Sequence, residues 1–149
     1  VRRIAHNMMP RALALSGLPG ALEDLAQDLR KQGLDCDLEI IGFDPALPLD
    51  STQAVMIYRI VQELSHNAVK HAEATHLLLQ LLRQEDRLTI IVEDNGQGFD
   101  VKNALQQKGL GLSSIESRVQ FLQGTIEWDS VPGEGTTVVV TVDGGRKDG

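Results

Sequence analysis

The 149-residue sequence has a single cysteine, Cys36. A lone thiol excludes an internal disulfide framework and a cysteine-built zinc site. Aromatic residues amount to only 3%, so a core must be built from Leu, Ile, Val and Ala. Apolar runs such as Leu77 to Leu79 fall far short of the roughly 20 residues that cross a bilayer. The first residues carry no charged-then-apolar block of a secretory leader. Positive charge is also in deficit. Fourteen Lys and Arg stand against 21 Asp and Glu, for a net charge of −7, which argues against a nucleic-acid-binding module. What is present is ordinary for a globular domain, with 42% hydrophobic and 23% charged residues, and the length suits one domain with a real core. Val at position 1 and a Gly-Gly-Arg-Lys-Asp-Gly tail lead us to expect a piece of a longer protein.

Residues 1–16 carry Ile4, Met8, Ala12 and Leu15 at helical spacing, and Gly17-Leu18-Pro19-Gly20 breaks that helix. A second helix is expected from about Pro19 to Gln32, with Leu22, Leu25, Ala26 and Leu29 as its apolar stripe. A short strand, Asp37 to Ile41, and a loop at 42–48 come next. Asp50 with Gln53 reads as a capping box that opens a helix from about Ser51 to Ala72. Its buried stripe is Ala54, Tyr58, Val61, Leu64 and Ala68. Strands at 75–83 and 87–93 are joined by the polar turn Gln84-Glu85-Asp86. A loop rich in Gly and polar residues runs from Asp94 to Gly109, and a helix from about Gly111 to Leu122. Strands at 125–130 and 136–142 flank a Pro132-Gly133-Glu134-Gly135 turn. Hairpin-paired strands with separated helices imply a two-layer α/β (α+β) sandwich, its helices packed on one face of a mixed sheet. The alternation of a Rossmann fold is absent.

Chemistry-bearing residues cluster at four places. On the third helix, Glu63, Asn67, Lys70 and His71 fall within an arc of roughly 100°, opposite the Val61, Leu64 and Ala68 stripe. One carboxylate, one amide oxygen and two basic groups on one face suit a magnesium ion with phosphates, because magnesium takes few protein oxygens. An ordinary solvated helix face has the same look. Next, Asp94-Asn95-Gly96-Gln97-Gly98-Phe99 follows a strand directly. A carboxylate there accepts from the exocyclic amine of adenine and repels the keto oxygen of guanine. A tight Asx turn is the alternative. Third, Gly109-Leu110-Gly111-Leu112 opens a helix, whose free N–H groups attract anions; a plain helix-entry loop reads the same. It is neither a P-loop nor a Gly-x-Gly-x-x-Gly fingerprint. Last, Gly133-Glu134-Gly135-Thr136-Thr137 reads first as a hairpin turn.

Taken in order, these elements resemble the Bergerat-fold ATPases, and specifically the catalytic and ATP-binding domain of sensor histidine kinases. Gln62-Glu63-Leu64-Ser65-His66-Asn67-Ala68-Val69-Lys70-His71-Ala72 is similar to that family's N box. Asp94 to Phe99 is similar to its G1 box, and Gly109 to Leu112 to its G2 box. The run from Gly109 to Val119, and Ala5 to Pro10 with Gly17-Leu18 and Ala21-Leu22, resemble the short-lid subfamily that pairs with LuxR-type response regulators. Only ten residues separate Gly98 from Gly109, and the Phe motif of long-lid kinases is missing there.

The resemblance implies roles. Asn67 would coordinate magnesium, and Glu63 would orient a metal-bound water or the acceptor imidazole. Lys70 and His71 would face the phosphates of ATP. Asp94 would read adenine N6, helped by Thr136 through a water. Gly96 and Gly98 would let the loop pass close to the base, and Gly109, Leu110, Gly111 and Leu112 would wrap the phosphates. Residues 1–16 would be the exit of a dimerisation helix, 17–142 the ATP-binding domain and 143–149 a disordered tail. The parent would dimerise through helices that precede this segment, and this domain would work in the cytoplasm, whether or not the parent is anchored in a membrane. The four histidines are followed by Asn7, Asn67, Ala72 and Leu77. None has the acidic follower of the family's phosphoacceptor, so the acceptor histidine is expected elsewhere, and His6 reads as a linker or packing residue. A serine kinase of the anti-sigma type and a catalytically dead nucleotide sensor are the alternatives on the same fold.

Overall fold

The computed structural model describes residues 11–44, 47, 49–102 and 112–143. Three helices and five strands are assigned within them: α1 (Arg11–Lys31), β1 (Asp35–Ile41), α2 (Ser51–Lys70), β2 (His76–Gln84), β3 (Arg87–Asp94), α3 (Leu112–Phe121), β4 (Thr125–Ser130) and β5 (Thr136–Asp143). The expected first helix at 1–16 lies outside the described residues up to position 10. From position 11 the chain forms one helical run interrupted at Gly17, whose φ of 75° and ψ of −171° are not helical. Glycine tolerates that conformation without a Cβ penalty. Pro19 then sits in the first turn after the break, where a missing N–H costs least. Leu18, Ala21, Leu22, Ala26 and Leu29 bury the inner stripe of α1.

Asp50 caps α2 by accepting from Gln53 N at 3.2 Å. The other half of the expected capping box is replaced. Gln53 Nε2 donates to Asp143 O at 2.9 Å instead, tying the start of α2 to the end of β5. The five stripe residues expected on this helix are all buried.

The sheet order is β1-β2-β3-β5-β4, with β1 and β2 parallel and every other pair antiparallel. Glu85 and Asp86 make the turn between β2 and β3, and Glu85 takes a positive φ of 51°. Register stacks the helix-facing residues into rows. Leu38, Leu79, Val92, Val138 and Trp128 form one, and Ile40, Leu81, Ile90, Val140 and Ile126 the next. With the inner stripes of the helices they make one aliphatic core, as the scarcity of aromatics requires. This is the expected mixed-sheet sandwich. The tail at 143–149 is expected to be disordered, but Asp143 still pairs within β5; residues 144–149 lie outside the described residues. Among the described residues no helix is long and apolar enough to cross a membrane.

Candidate functional site: a cavity with a polar end between the second helix and the sheet

The row nearest the end of β3 breaks the aliphatic pattern. Across the sheet it reads Cys36, Leu77, Asp94, Thr136 and Ser130. Where the first two positions bury apolar atoms, the last three place a carboxylate and two hydroxyls side by side. A cavity of about 80 Å³ opens over this end of the row. Leu64, Ala68 and Ala72 of α2 and its C-terminal extension form one wall; Val92 and Val138 of the sheet form the floor, and Trp128, Phe99 and Leu112 complete the lining. Asp94, Thr136, Asn67 and His71 are its polar members.

Asp94 is half-buried. Gly96 N–H donates to its Oδ1 at 2.7 Å, the Asx geometry of a turn. Its Oδ2 has no hydrogen-bond partner among the described residues. Burial raises the Asp94 pKa above the usual carboxylate value; the Gly96 N–H pulls it down and the neighbouring Glu93 charge pushes it further up. The carboxylate therefore sits in a place that favours a donor on its open oxygen. Beside it, Thr136 is 7% exposed and its Oγ1 lies 2.7 Å from Ser130 Oγ. Ser130 Oγ also accepts from Phe99 N at 2.9 Å, and lies 3.2 Å from Gly135 O. This small network fixes the start of the loop that leaves β3 onto the β4–β5 hairpin.

The loop itself is anchored by close backbone packing. A Cβ at Gly96 would meet Ala72 Cβ at 2.5 Å and Ala72 O at 2.6 Å. One at Gly98 would collide with Val131 O. The close approach that these glycines permit here is to the end of α2 and to the hairpin, and Gly98 also lines the cavity while Gly96 does not. Asn95 serves the same anchoring. Its Oδ1 accepts from Thr75 N and His76 N at 3.0 and 2.9 Å, and its Nδ2 donates to Thr75 Oγ1.

Of the twelve residues expected at the site, Asn67, His71, Asp94, Gly98, Leu112 and Thr136 share this cavity. Glu63 and Lys70 lie outside its lining, Glu63 half-buried and Lys70 exposed. Gly109, Leu110 and Gly111 lie outside the described residues. One expectation needs correcting. The polar stripe of α2 is not opposite its apolar stripe but borders it, because Asn67 and His71 line the same cavity as Leu64 and Ala68. At about 100° per residue, position 71 falls only some 20° from position 64. His66 is exposed and is not in the lining of this cavity. Phe99 and Trp128 line the cavity, and Ser130 holds Thr136 and the Phe99 amide beside it, none of them marked by a motif role of its own. Part of the arrangement is visible in the sequence. Alternation in Thr125–Ser130 puts Ile126, Trp128 and Ser130 on one face, and Trp128 is the chain's only tryptophan.

Residues 52–146 match the family model described as histidine kinase-, DNA gyrase B-, and HSP90-like ATPase. The chain is similar to sensor histidine kinase ComP of Bacillus subtilis (strain 168), with 36% identity over 90% of this chain and 17% of the relative. It is also similar to the signal transduction histidine-protein kinase/phosphatase DegS of Brevibacillus brevis, with 29% identity over 95% of this chain and 36% of the relative. The chain thus spans well under half the length of these curated relatives. Among solved structures, the histidine kinase domain of the Erythrobacter litoralis EL346 blue-light activated histidine kinase superposes with a TM-score of 0.65. The match covers 84% of this chain and 64% of that one at 21% identity, a likeness of fold alone.

Proposed function

The chain belongs to the family of histidine kinase-, DNA gyrase B-, and HSP90-like ATPases, and from that premise we propose that it is the ATP-binding catalytic domain of a sensor histidine kinase. The observation that carries the reading is Asp94. It offers one open carboxylate oxygen to a cavity lined mostly by apolar side chains, with the Thr136 hydroxyl beside it and Asn67 and His71 on the α2 side. Such a slot takes a flat heterocycle and rewards an exocyclic amine, as in adenine, over a keto oxygen.

Asn67 and His71 stand at the α2 side of the same cavity, where the sugar and phosphates of a seated nucleotide would leave it. The donor set fits a magnesium ion that arrives with the phosphates. Among the described residues no group of three or more His, Cys, Asp or Glu could hold a metal by itself, and magnesium needs few protein oxygens. Asn67 would hold it, and the ion would supply charge neutralisation on the phosphates. Lys70 and His71 would face the phosphates, Gly109 to Leu112 would wrap them, and Glu63 would orient the acceptor imidazole or a water. The chain's own contribution is then positioning and charge, which is most of what phosphoryl transfer demands. The acceptor is a histidine outside this chain, since none of its four histidines has an acidic follower. Residues 1–16 would lead from a dimerisation helix, and the parent would act as a homodimer. The domain would work in the cytoplasm, and a LuxR-type response regulator would receive the phosphoryl group.

Calorimetric titration with ATP, ADP and GTP, with and without magnesium, tests this in the wild type and Asn67→Ala. ATP and ADP should bind and GTP should bind poorly. In Asn67→Ala the magnesium enhancement of ATP binding should vanish while metal-free ADP binds almost as before. Equal ATP and GTP affinities would remove the Asp94 reading, and undiminished magnesium dependence in the variant would move the metal elsewhere.

A further inference from the structure

Trp128 occupies an unusual position for a cavity wall. It lies on β4, an edge strand of the sheet, so among the described residues no further strand supports its outer side. An indole at such an edge depends on side-chain contacts to stay turned away from water. Three such contacts are present. Val138 is its register partner on β5. The Phe99 ring meets it edge-on, with centroids 6.4 Å apart and planes at 68°. The third is polar. Trp128 Nε1 donates to Glu116 Oε2 at 3.2 Å.

Glu116 sits on α3, one turn after Leu112, and Leu112 itself lines the cavity. Around Glu116, Leu112, Ile115 and Val119 bury the inner side of α3. One hydrogen bond therefore joins the helix that carries Leu112 to the strand that carries Trp128, and both residues are walls of the same cavity.

We propose that Glu116 is a positioning residue, which holds the Trp128 indole as the outer wall of the base slot and seats α3 against it. The inference rests on the nucleotide reading of the cavity. It concerns the base, so it differs from any role in handling phosphates. Ligands with and without phosphates should respond to Glu116 alike.

Trp128 is the only tryptophan, so its emission reads the wall directly. The experiment titrates wild type, Glu116→Ala and Glu116→Gln with adenosine and with ADP, without metal, while recording indole emission and affinity. In the wild type, either ligand should change the emission. Free Glu116→Ala should emit at longer wavelength, as the indole turns toward water. It should bind adenosine and ADP more weakly by the same factor, roughly three- to tenfold. Glu116→Gln keeps an acceptor oxygen without the charge and should recover most of the emission and of the affinity. A bond that served stability alone would lower the melting temperature and leave the affinity of the folded protein untouched. Wild-type affinity and emission in Glu116→Ala would overturn the proposal, as would a Glu116→Gln that behaves like Glu116→Ala. Failure of the nucleotide reading looks different: a wild type that binds neither ligand removes the base slot and the role of its wall together.

Discussion

Along the helix-facing side of the sheet, the row Ile40, Leu81, Ile90, Val140 and Ile126 is aliphatic throughout, whereas Cys36, Leu77, Asp94, Thr136 and Ser130, four residues away along the strands, turns polar at the third strand. Both rows lie beneath the same layer of helices. Leu81, Ile90 and Val140 are at most 2% exposed, and the aliphatic row contributes to the closed core. The polar row ends in a cavity. The difference shows how this fold opens a cavity with a polar end. The register is kept and residue types are exchanged, so that a carboxylate stands where a packed methyl would otherwise be. Stability and recognition should therefore separate by row.

The largest expected effect lies in the aliphatic row. Ile90→Ala removes buried methyl groups from a site 2% exposed and leaves a void that its neighbours close only in part. Such truncations cost about 2–5 kcal/mol. At this chain length the melting temperature should fall by roughly 2–4 °C for each kcal/mol, measured by calorimetry or denaturant titration. Base selectivity, measured as ATP against GTP affinity in the protein that remains folded, should be unchanged. A variant that lost selectivity in proportion to stability would erase the distinction between the rows.

Asp94→Asn comes next and should act in the opposite sense. The amide oxygen can still accept from Gly96 N–H, but the charge facing the cavity is gone. Hydrogen bonds to charged groups are worth about 1.5–3 kcal/mol, so ATP and ADP should bind at least about tenfold more weakly. Stability follows from the sign of the pKa shift. Burial raises the Asp94 pKa in the folded state. Its contribution is thus fully present below the ordinary carboxylate value, near pH 4, and is lost as pH rises through the raised one. At pH 7 the wild type carries a poorly solvated charge, and Asp94→Asn should melt at the same temperature or higher. Below about pH 4 that advantage should disappear. Thermal melts at both pH values, paired with ADP titrations, check both halves. A destabilised variant with intact ADP affinity would make Asp94 a structural turn residue.

The two rows were also unequally legible in the sequence. Strand alternation and the Asp50 cap located the elements, because both are local signals. The stripe of α2 named its buried residues correctly for the same reason. The cavity was harder. Glu63 and Lys70 share a helical face with Asn67, yet they lie outside the cavity lining, since periodicity gives a face and not the part of it that another element covers. The capping-box spacing pairs Gln53 with Asp50, but its amide reaches Asp143, a partner 90 residues away. Trp128 and Ser130 entered the site through the β4–β5 register, which no motif announces. The glycines after Asp94 were visible as a pattern. Their tightest neighbours, Ala72 and Val131, were visible only once the loop was folded against them.

The smallest expected effect, and the finest test of the polar row, is Thr136→Val. The substitution keeps the shape and replaces the hydroxyl by a methyl group. Ser130 Oγ loses a neighbour at 2.7 Å, but it still accepts from Phe99 N and lies within reach of Gly135 O as an acceptor. One hydrogen bond is removed, worth roughly 0.5–1.5 kcal/mol. The new methyl group, at a position 7% exposed, returns up to about 0.8 kcal/mol of apolar burial. Net stability should change by less than about 1 kcal/mol. If the hydroxyl touches the base only through a water, ATP affinity should fall a few-fold, well short of the Asp94→Asn loss, because a bridging water can rearrange. ADP calorimetry on the two single variants and the double variant decides the order. A loss in Thr136→Val as large as in Asp94→Asn would make the hydroxyl the principal reader of the base. An unchanged affinity would confine Thr136 to holding the hairpin and leave the carboxylate as the one residue of the row that reads it.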